Sequence, residues 1–219
     1  MKTNQTSKTE LVFILDKSGS MSGLESDTIG GYNAMLKKQQ QAPGEARVTT
    51  ILFDDGYEVL HDRIDIHGVA PITENDYYVG GCTALLDAIG KTIHKIANAQ
   101  RHTQPEHRSD QVIFVITTDG LENASQEYSY EKIKRLIELE KTQYQWEFIF
   151  LGANIDAIET AARFGIGADR AANYHADSQG TQLNYRVVSE VVSEMRACNP
   201  IPANWKAEID EDYKRRGKN

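Results

Sequence analysis

The sequence predicts an α/β domain, doubly wound, whose mostly parallel sheet has about six strands, one antiparallel edge hairpin and helices on both faces. Three observations predict it. Two short runs, Leu11-Val12-Phe13-Ile14-Leu15 and Val112-Ile113-Phe114-Val115-Ile116, are apolar at every position, as strands buried on both faces are. Strand-like runs alternate with longer segments whose apolar residues recur every three or four positions, the order expected of a parallel sheet with crossover helices. The strand-like runs end in polar loops rich in Gly, Ser, Thr and Asp, and such folds hold ligands in the crevice beyond the carboxyl ends of their strands.

Residues 1–9 are polar and are read as an N-terminal tail. After Leu11–Leu15 comes the loop Asp16-Lys17-Ser18-Gly19-Ser20-Met21-Ser22-Gly23, then a helix with Ile29, Tyr32, Met35 and Leu36 on one face, stopped by Pro43-Gly44. Val48–Phe53 and Tyr57–Leu60 flank Asp54-Asp55-Gly56, a turn signal for a hairpin. A loop containing Gly80-Gly81-Cys82-Thr83 leads into a helix striped by Leu85, Ile89, Ile93 and Ile96. Val112–Ile116 ends at Thr117-Thr118-Asp119-Gly120, and Ser129 is placed to cap a helix facing inward through Tyr130, Ile133, Leu136 and Ile137. Trp146–Leu151 reads as a strand. Ile155, Ile158, Ala161 and Ala162 mark a short helix ended by Gly165, with Ile166 placed for a Schellman contact. Residues 170–174 add a short strand, and Val187, Val188, Val191, Val192 and Met195 mark the last helix. One domain is therefore expected over residues 10–198, with residues 199–219 a polar C-terminal tail.

Composition narrows the function classes. With 24 basic and 32 acidic residues the net charge is −8, the wrong sign for gripping phosphates of nucleic acid or an anionic membrane surface. Only Cys82 and Cys198 occur, so no disulfide framework is expected. No window approaches the roughly 18 apolar residues of a membrane span, and the first residues lack a signal-peptide core. The expected setting is cytoplasmic.

Three of the loops carry hard oxygen donors: Asp16, Ser18 and Ser20 in the first, Thr83 in the second, Asp119 in the third. Two carboxylates and three hydroxyls suit a hard divalent cation, with magnesium first, manganese next and calcium last. Asp16-x-Ser18-x-Ser20, preceded by Val-Phe-Ile-Leu, resembles the first motif of von Willebrand factor A domains. Gly80-Gly81-Cys82-Thr83-Ala84-Leu85-Leu86-Asp87-Ala88 is similar to their Gly-x-Thr-x-Leu-x-Asp-Ala segment, and Thr117-Thr118-Asp119-Gly120 to their Thr-Asp-Gly strand end. The resemblance implies a metal-ion-dependent adhesion site. In it Ser18, Ser20 and Thr83 contact the ion, Asp16 and Asp119 act directly or through water, and a partner protein supplies an exposed Asp or Glu.

The function expected on this basis is a non-enzymatic, metal-dependent protein-binding module. The alternative is a metal-dependent, phosphatase-like hydrolase on a similar fold; against it, Ser18 stands where aspartyl-phosphate phosphatases place their second aspartate. Other candidates read as structural. Asp87, one turn after Thr83, is expected to hydrogen-bond a neighbouring loop, and Glu122 and Asn123 to lie in a solvated loop. Cys82 is expected to be a small, partly buried thiol. His102 and His107 lack the further ligands a zinc site needs. Arg170 stands where a dinucleotide-binding Gly-x-Gly-x-x-Gly run beginning at Gly165 would need glycine. The basic residues Lys214, Arg215, Arg216 and Lys218 read as a frayed terminus.

Overall fold

The computed structural model describes residues 7–217. Six strands form one sheet: β1 (Lys8–Asp16), β2 (Glu45–Phe53), β3 (Tyr57–Asp65), β4 (Gln111–Thr118), β5 (Glu147–Ala153) and β6 (Ala171–Tyr174). Their order is β3-β2-β1-β4-β5-β6, with β3 antiparallel to β2 and every other neighbour parallel. Six α-helices accompany them: α1 (Glu25–Gln41), α2 (Leu85–His102), α3 (Tyr130–Tyr144), α4 (Ala157–Arg163), α5 (Ser178–Arg196) and α6 (Ala207–Arg216).

The unbroken apolar runs have a simple cause. Along β1, Leu11, Phe13 and Leu15 join one core with residues of α1, α5 and α6, while Val12 and Ile14 join the other with residues of α2, α3 and α4. Both faces of the strand are covered, so neither register of the pleat is left for polar residues. The hairpin turn at Asp54-Asp55-Gly56 closes as expected, with the Asp54 side chain accepting from Gly56 N at 2.6 Å. Ser129 caps α3 through Lys132 N at 3.4 Å. Past α4, Gly165 N bonds Ala162 O at 3.0 Å and Ile166 N bonds Ala161 O at 2.9 Å, the paired bonds of a Schellman ending that the left-handed Gly165 (φ +81°) permits.

Two boundaries differ from the sequence reading. β1 begins at Lys8, inside the expected N-terminal tail, whose residues 1–6 lie outside the described ones. Neighbours hold this polar start: the buried Glu10 meets Arg63 Nε at 3.0 Å, and Lys8 N donates to Asp110 Oδ2 at 2.8 Å. The expected C-terminal tail is corrected more strongly, because residues 207–216 form helix α6, packed on β6 and α5. Its buried apolar anchors are Trp205 and Ile209, helped by the half-buried Ile201, too few and too scattered for a helical stripe to show. Polar bonds do the remaining docking: Trp205 Nε1 donates to Asp169 O at 2.7 Å, Lys206 Nζ to Ala171 O at 2.6 Å, and Arg186 Nη2 of α5 to Glu208 Oε2 at 2.6 Å. Arg216 also pairs with Asp177 at the start of α5, so this end is tethered rather than frayed.

A docked α6 predicts that Ile209→Ala, at a residue 1% exposed, destabilises the fold by about 2–4 kcal/mol, the usual range for a buried Ile cut to Ala. Urea unfolding checks it; a loss under about 0.5 kcal/mol would mean the helix carries no core.

Candidate metal centre

The strand order reverses at β1. From it the chain winds outward to β2 on one side and to β4 on the other, so the crevice between the carboxyl ends of β1 and β4 is the topological switch point. Asp16 is the last residue of β1, and Asp119 follows the last residue of β4. The third contributor, Thr83, precedes α2 and reaches the same crevice.

A chain of short contacts joins the side chains. Thr83 Oγ1 donates to Ser18 Oγ at 3.0 Å, Ser18 Oγ and Ser20 Oγ are 3.0 Å apart, and Ser20 Oγ donates to Asp119 Oδ1 at 2.5 Å. Asp16 stands behind this chain, its Oδ1 accepting from Ser18 N at 2.7 Å and its Oδ2 from Thr118 Oγ1 at 2.5 Å. The fold thus brings together all five residues singled out from the sequence.

These residues fit a small hard cation on three counts. Every donor is oxygen. Adjacent ligands of an octahedral ion held at 2.0–2.1 Å lie about 2.9 Å apart, close to the spacing of the three hydroxyls. Asp119 Oδ2 is buried and accepts no hydrogen bond from any described residue, an arrangement that costs free energy unless something positive meets it. The site is also cut to size, since a Cβ on Gly120 would lie 2.9 Å from Ser20 Oγ and 3.1 Å from Thr83 Oγ1. Among the described residues no three of His, Cys, Asp and Glu gather as a metal cluster, which leaves the hydroxyls as the distinguishing donors.

Burial sets the electrostatics. Desolvation pushes the Asp119 carboxyl up to about 6, the Ser20 hydrogen bond opposes that, and the nearby Asp16 charge adds to it. Asp16 is raised as well, again chiefly by burial, against the bonds from Ser18 and Thr118. Lys17 does not neutralise the pair. Its ammonium turns the other way, 3.0 Å from Glu58 Oε2 and 4.2 Å from the centre of the Tyr78 ring.

A second set of contacts holds the loops. Asp87 accepts from Gln126 N, Glu127 N and Tyr128 N, each at 3.0 Å, so it fastens the loop after β4 to α2, as expected. Glu122 and Asn123 are not idle loop residues. Glu122 Oε2 accepts from Leu86 N at 2.9 Å, and Asn123 Oδ1 from Thr83 N at 2.9 Å, which fixes Thr83 from its backbone side. Sequence reasoning missed two supports. Thr118 holds Asp16, and its place directly before Asp119 was the available signal. Tyr77 donates its hydroxyl to the Asp16 carbonyl, and nothing in its sequence neighbourhood marks it. Cys82 is exposed rather than partly buried, next to the left-handed Gly81 (φ +71°). His102 and His107 are both exposed.

The raised Asp119 pKa predicts a pH signature without metal. Its folded value, about 6, exceeds its ordinary 3.8, so ionisation opposes folding, and stability gains as pH falls from 7 through 6 toward 4. Asp16 contributes with the same sign. In chelator, Asp119→Asn is therefore expected to be more stable than the parent at pH 7 by roughly 2–3 kcal/mol, with the gap closing below pH 4. Paired urea titrations across pH check it; a gap independent of pH would remove the buried charge as its cause.

No protein-family model and no curated protein matches this sequence. Solved structures do match. Proximal thread matrix protein 1 from the mussel byssus, in a structure with a zinc-occupied MIDAS motif, superposes with a TM-score of 0.58 at 13% identity over 86% of this chain and 46% of that one. A von Willebrand factor type A structure from Catenulispora acidiphila gives 0.59 at 14% identity over 86% and 43%. The PilB minor pilin from Streptococcus sanguinis, as its D319A mutant, gives 0.61 at 11% identity over 94% and 64%. This chain spans less than two thirds of each of those proteins, and identities this low speak for the fold alone. The fold of the chain is that of von Willebrand factor A domains.

Proposed function

We propose that this domain is a divalent-cation-dependent adhesion module that grips an acidic group of a partner protein and performs no catalysis. The observation that carries the reading is the unpaired, buried Asp119 Oδ2 at the end of the Thr83–Ser18–Ser20 hydroxyl chain. The zinc-occupied motif of the mussel protein on the same fold supports a metal at this place. Magnesium is the ion we assign, because hydroxyl and carboxylate oxygens at this spacing match its small shell.

When bound, the cation supplies a positive, Lewis-acidic position for an incoming carboxylate. The protein's residues do the rest. Ser18, Ser20 and Thr83 present neutral oxygens, so they leave the ion's charge largely available to a partner's acid. Asp119 supplies one direct negative charge, and Asp16, with both oxygens already hydrogen-bonded, orients the first loop. The nearest lysine to the loop, Lys17, is buried against Glu58, so charge attraction for an acidic partner has to come from the ion in a chain of net charge −8. The hydrolase alternative loses support for a related reason. Both Asp16 oxygens are engaged by Ser18 N and Thr118 Oγ1, which suits a positioning carboxylate better than a free nucleophile.

Magnesium at a hundredfold its Kd is expected to stabilise the fold by about 2.7 kcal/mol, and Asp119→Ala to abolish that gain. Thr83→Ala should cost the fold only about 1 kcal/mol, because the contacts of Asn123 and Ala124 to Thr83 are with its backbone. The same variant is expected to weaken partner capture at least tenfold. Capture on the immobilised domain, with magnesium or with chelator, checks the reading. Equal capture in chelator, or by Asp119→Ala, would take the ion out of the mechanism.

A further inference from the structure

At the opposite pole of the sheet a buried residue carries a carboxylate with no hydrogen-bond or ion-pair partner among the described residues. Glu140 is 3% exposed, yet its carboxylate makes no hydrogen bond or ion pair with any described residue. Glu10, buried at the same pole, shows the contrast, since it meets Arg63 Nε at 3.0 Å and accepts from Ser109 Oγ at 3.3 Å. The position brings Glu140 no local benefit either. It lies four residues before the end of α3, toward the negative end of the helix dipole, where a carboxylate is disfavoured.

Glu140 lines a cleft of about 130 Å³ between the last turns of α2 and α3 and the start of β4. That is room for roughly four groups of water size. Ala97, Val112 and Trp146 supply buried apolar walls, and the exposed Tyr144 stands at the mouth. The two guanidinium groups at the rim are engaged elsewhere. Arg101 Nη2 bonds Asn98 Oδ1 at 2.5 Å, and Arg108 bonds the carbonyls of Thr103 at 2.9 Å and Arg101 at 3.3 Å. Other polar atoms of the cleft are also spent: Gln100 Oε1 accepts from Ser109 N, and Asp110 Oδ2 from Lys8 N.

We propose that this cleft binds a primary ammonium group on a short aliphatic stem, with Glu140 as its counter-ion and Trp146 and Tyr144 as its aromatic walls. The chemistry selects that ligand. A carboxylate without a bonded partner on a residue this buried is costly until a cation meets it, and burial indeed raises the Glu140 pKa, opposed only by the Arg101 charge. An ammonium has three donors and a compact charge, whereas a guanidinium brings five donors to a cleft with few acceptors left. Aromatic faces add cation–π attraction for either. The group can come from a free alkylamine or from a lysine side chain of a partner protein; both present the same head and stem.

The experiment titrates n-butylammonium chloride into the full chain in chelator, following the Trp146 indole and the amides of Glu140 and Tyr144 by NMR. Neutral n-butanol serves as the isosteric control, and N-acetyl-lysine methylamide as the protein-borne form. Saturable shifts with a millimolar Kd are expected for the ammonium and not for butanol, with at least a tenfold loss in Glu140→Gln. Tighter binding of the lysine derivative would assign the site to a protein partner, and tighter binding of butylammonium to a free amine. Ala97→Leu fills the cleft while leaving Glu140 in place and is expected to abolish the shifts, so the test holds even if Glu140→Gln folds poorly. The proposal is overturned by equal binding of butanol or by full affinity in both variants. It is equally overturned by absence of saturation at about 100 mM, a hundredfold above a millimolar Kd.

Discussion

The Asp16 carboxylate is the contact on which the functional end of the molecule depends. It is buried at the end of the central strand, and each of its oxygens is held by a different part of the chain: Ser18 N in its own loop, Thr118 Oγ1 on the neighbouring strand. That sharing ties the first loop to β4, which in turn sets where Asp119 emerges and which oxygen Ser20 meets. Two carboxylates at this depth repel one another and resist ionisation, as the raised values of both show. The protein tolerates the arrangement by aiming amide and hydroxyl donors at three of the four carboxylate oxygens and leaving Asp119 Oδ2 without one.

Around that core a second pair of acids works chiefly on backbone amides. Asp87 gathers the amides of residues 126–128, and Glu122 accepts from Leu86 N, Ala124 N and Ser125 N. Charge-assisted bonds of this kind are among the stronger ones a loop can make. They hold the loop after β4 against the start of α2, so the oxygens converge before any ligand arrives. A site arranged in advance loses less conformational entropy on binding, which leaves more of the interaction energy for affinity.

The two poles of the sheet use buried acid differently. At the carboxyl ends of the strands, acids are paired with hydroxyls and amides and converge. At the amino ends, Glu10 is matched by Arg63 within the protein, while Glu140 faces a cleft walled by Trp146 and Val112. The unmatched group at each pole is the one that bears on binding, because an uncompensated buried charge is relieved only by something from outside.

Much of this was legible in the residues themselves. Apolar runs in the two central strands declare burial on both faces, so the fold class follows from local pattern; Asp16 and Asp119 lie at strand ends by simple chain order, while Thr83 and the grouping of Asp16, Ser18, Ser20, Thr83 and Asp119 as one set rested on the resemblance of their motifs. What the sequence by itself could not carry is everything that depends on which strands become neighbours. Tyr77 reaches Asp16 across 61 positions and Thr118 reaches it across 102, and no periodicity encodes such a pairing. Helix α6 was invisible for a related reason, since a few scattered apolar anchors and a set of long-range polar bonds leave no stripe to read. The unpaired state of Glu140 belongs to tertiary structure alone. A glutamate on a helix reads as solvated until the packing of α2, α3 and β4 leaves the residue 3% exposed with no hydrogen-bond partner among the described residues.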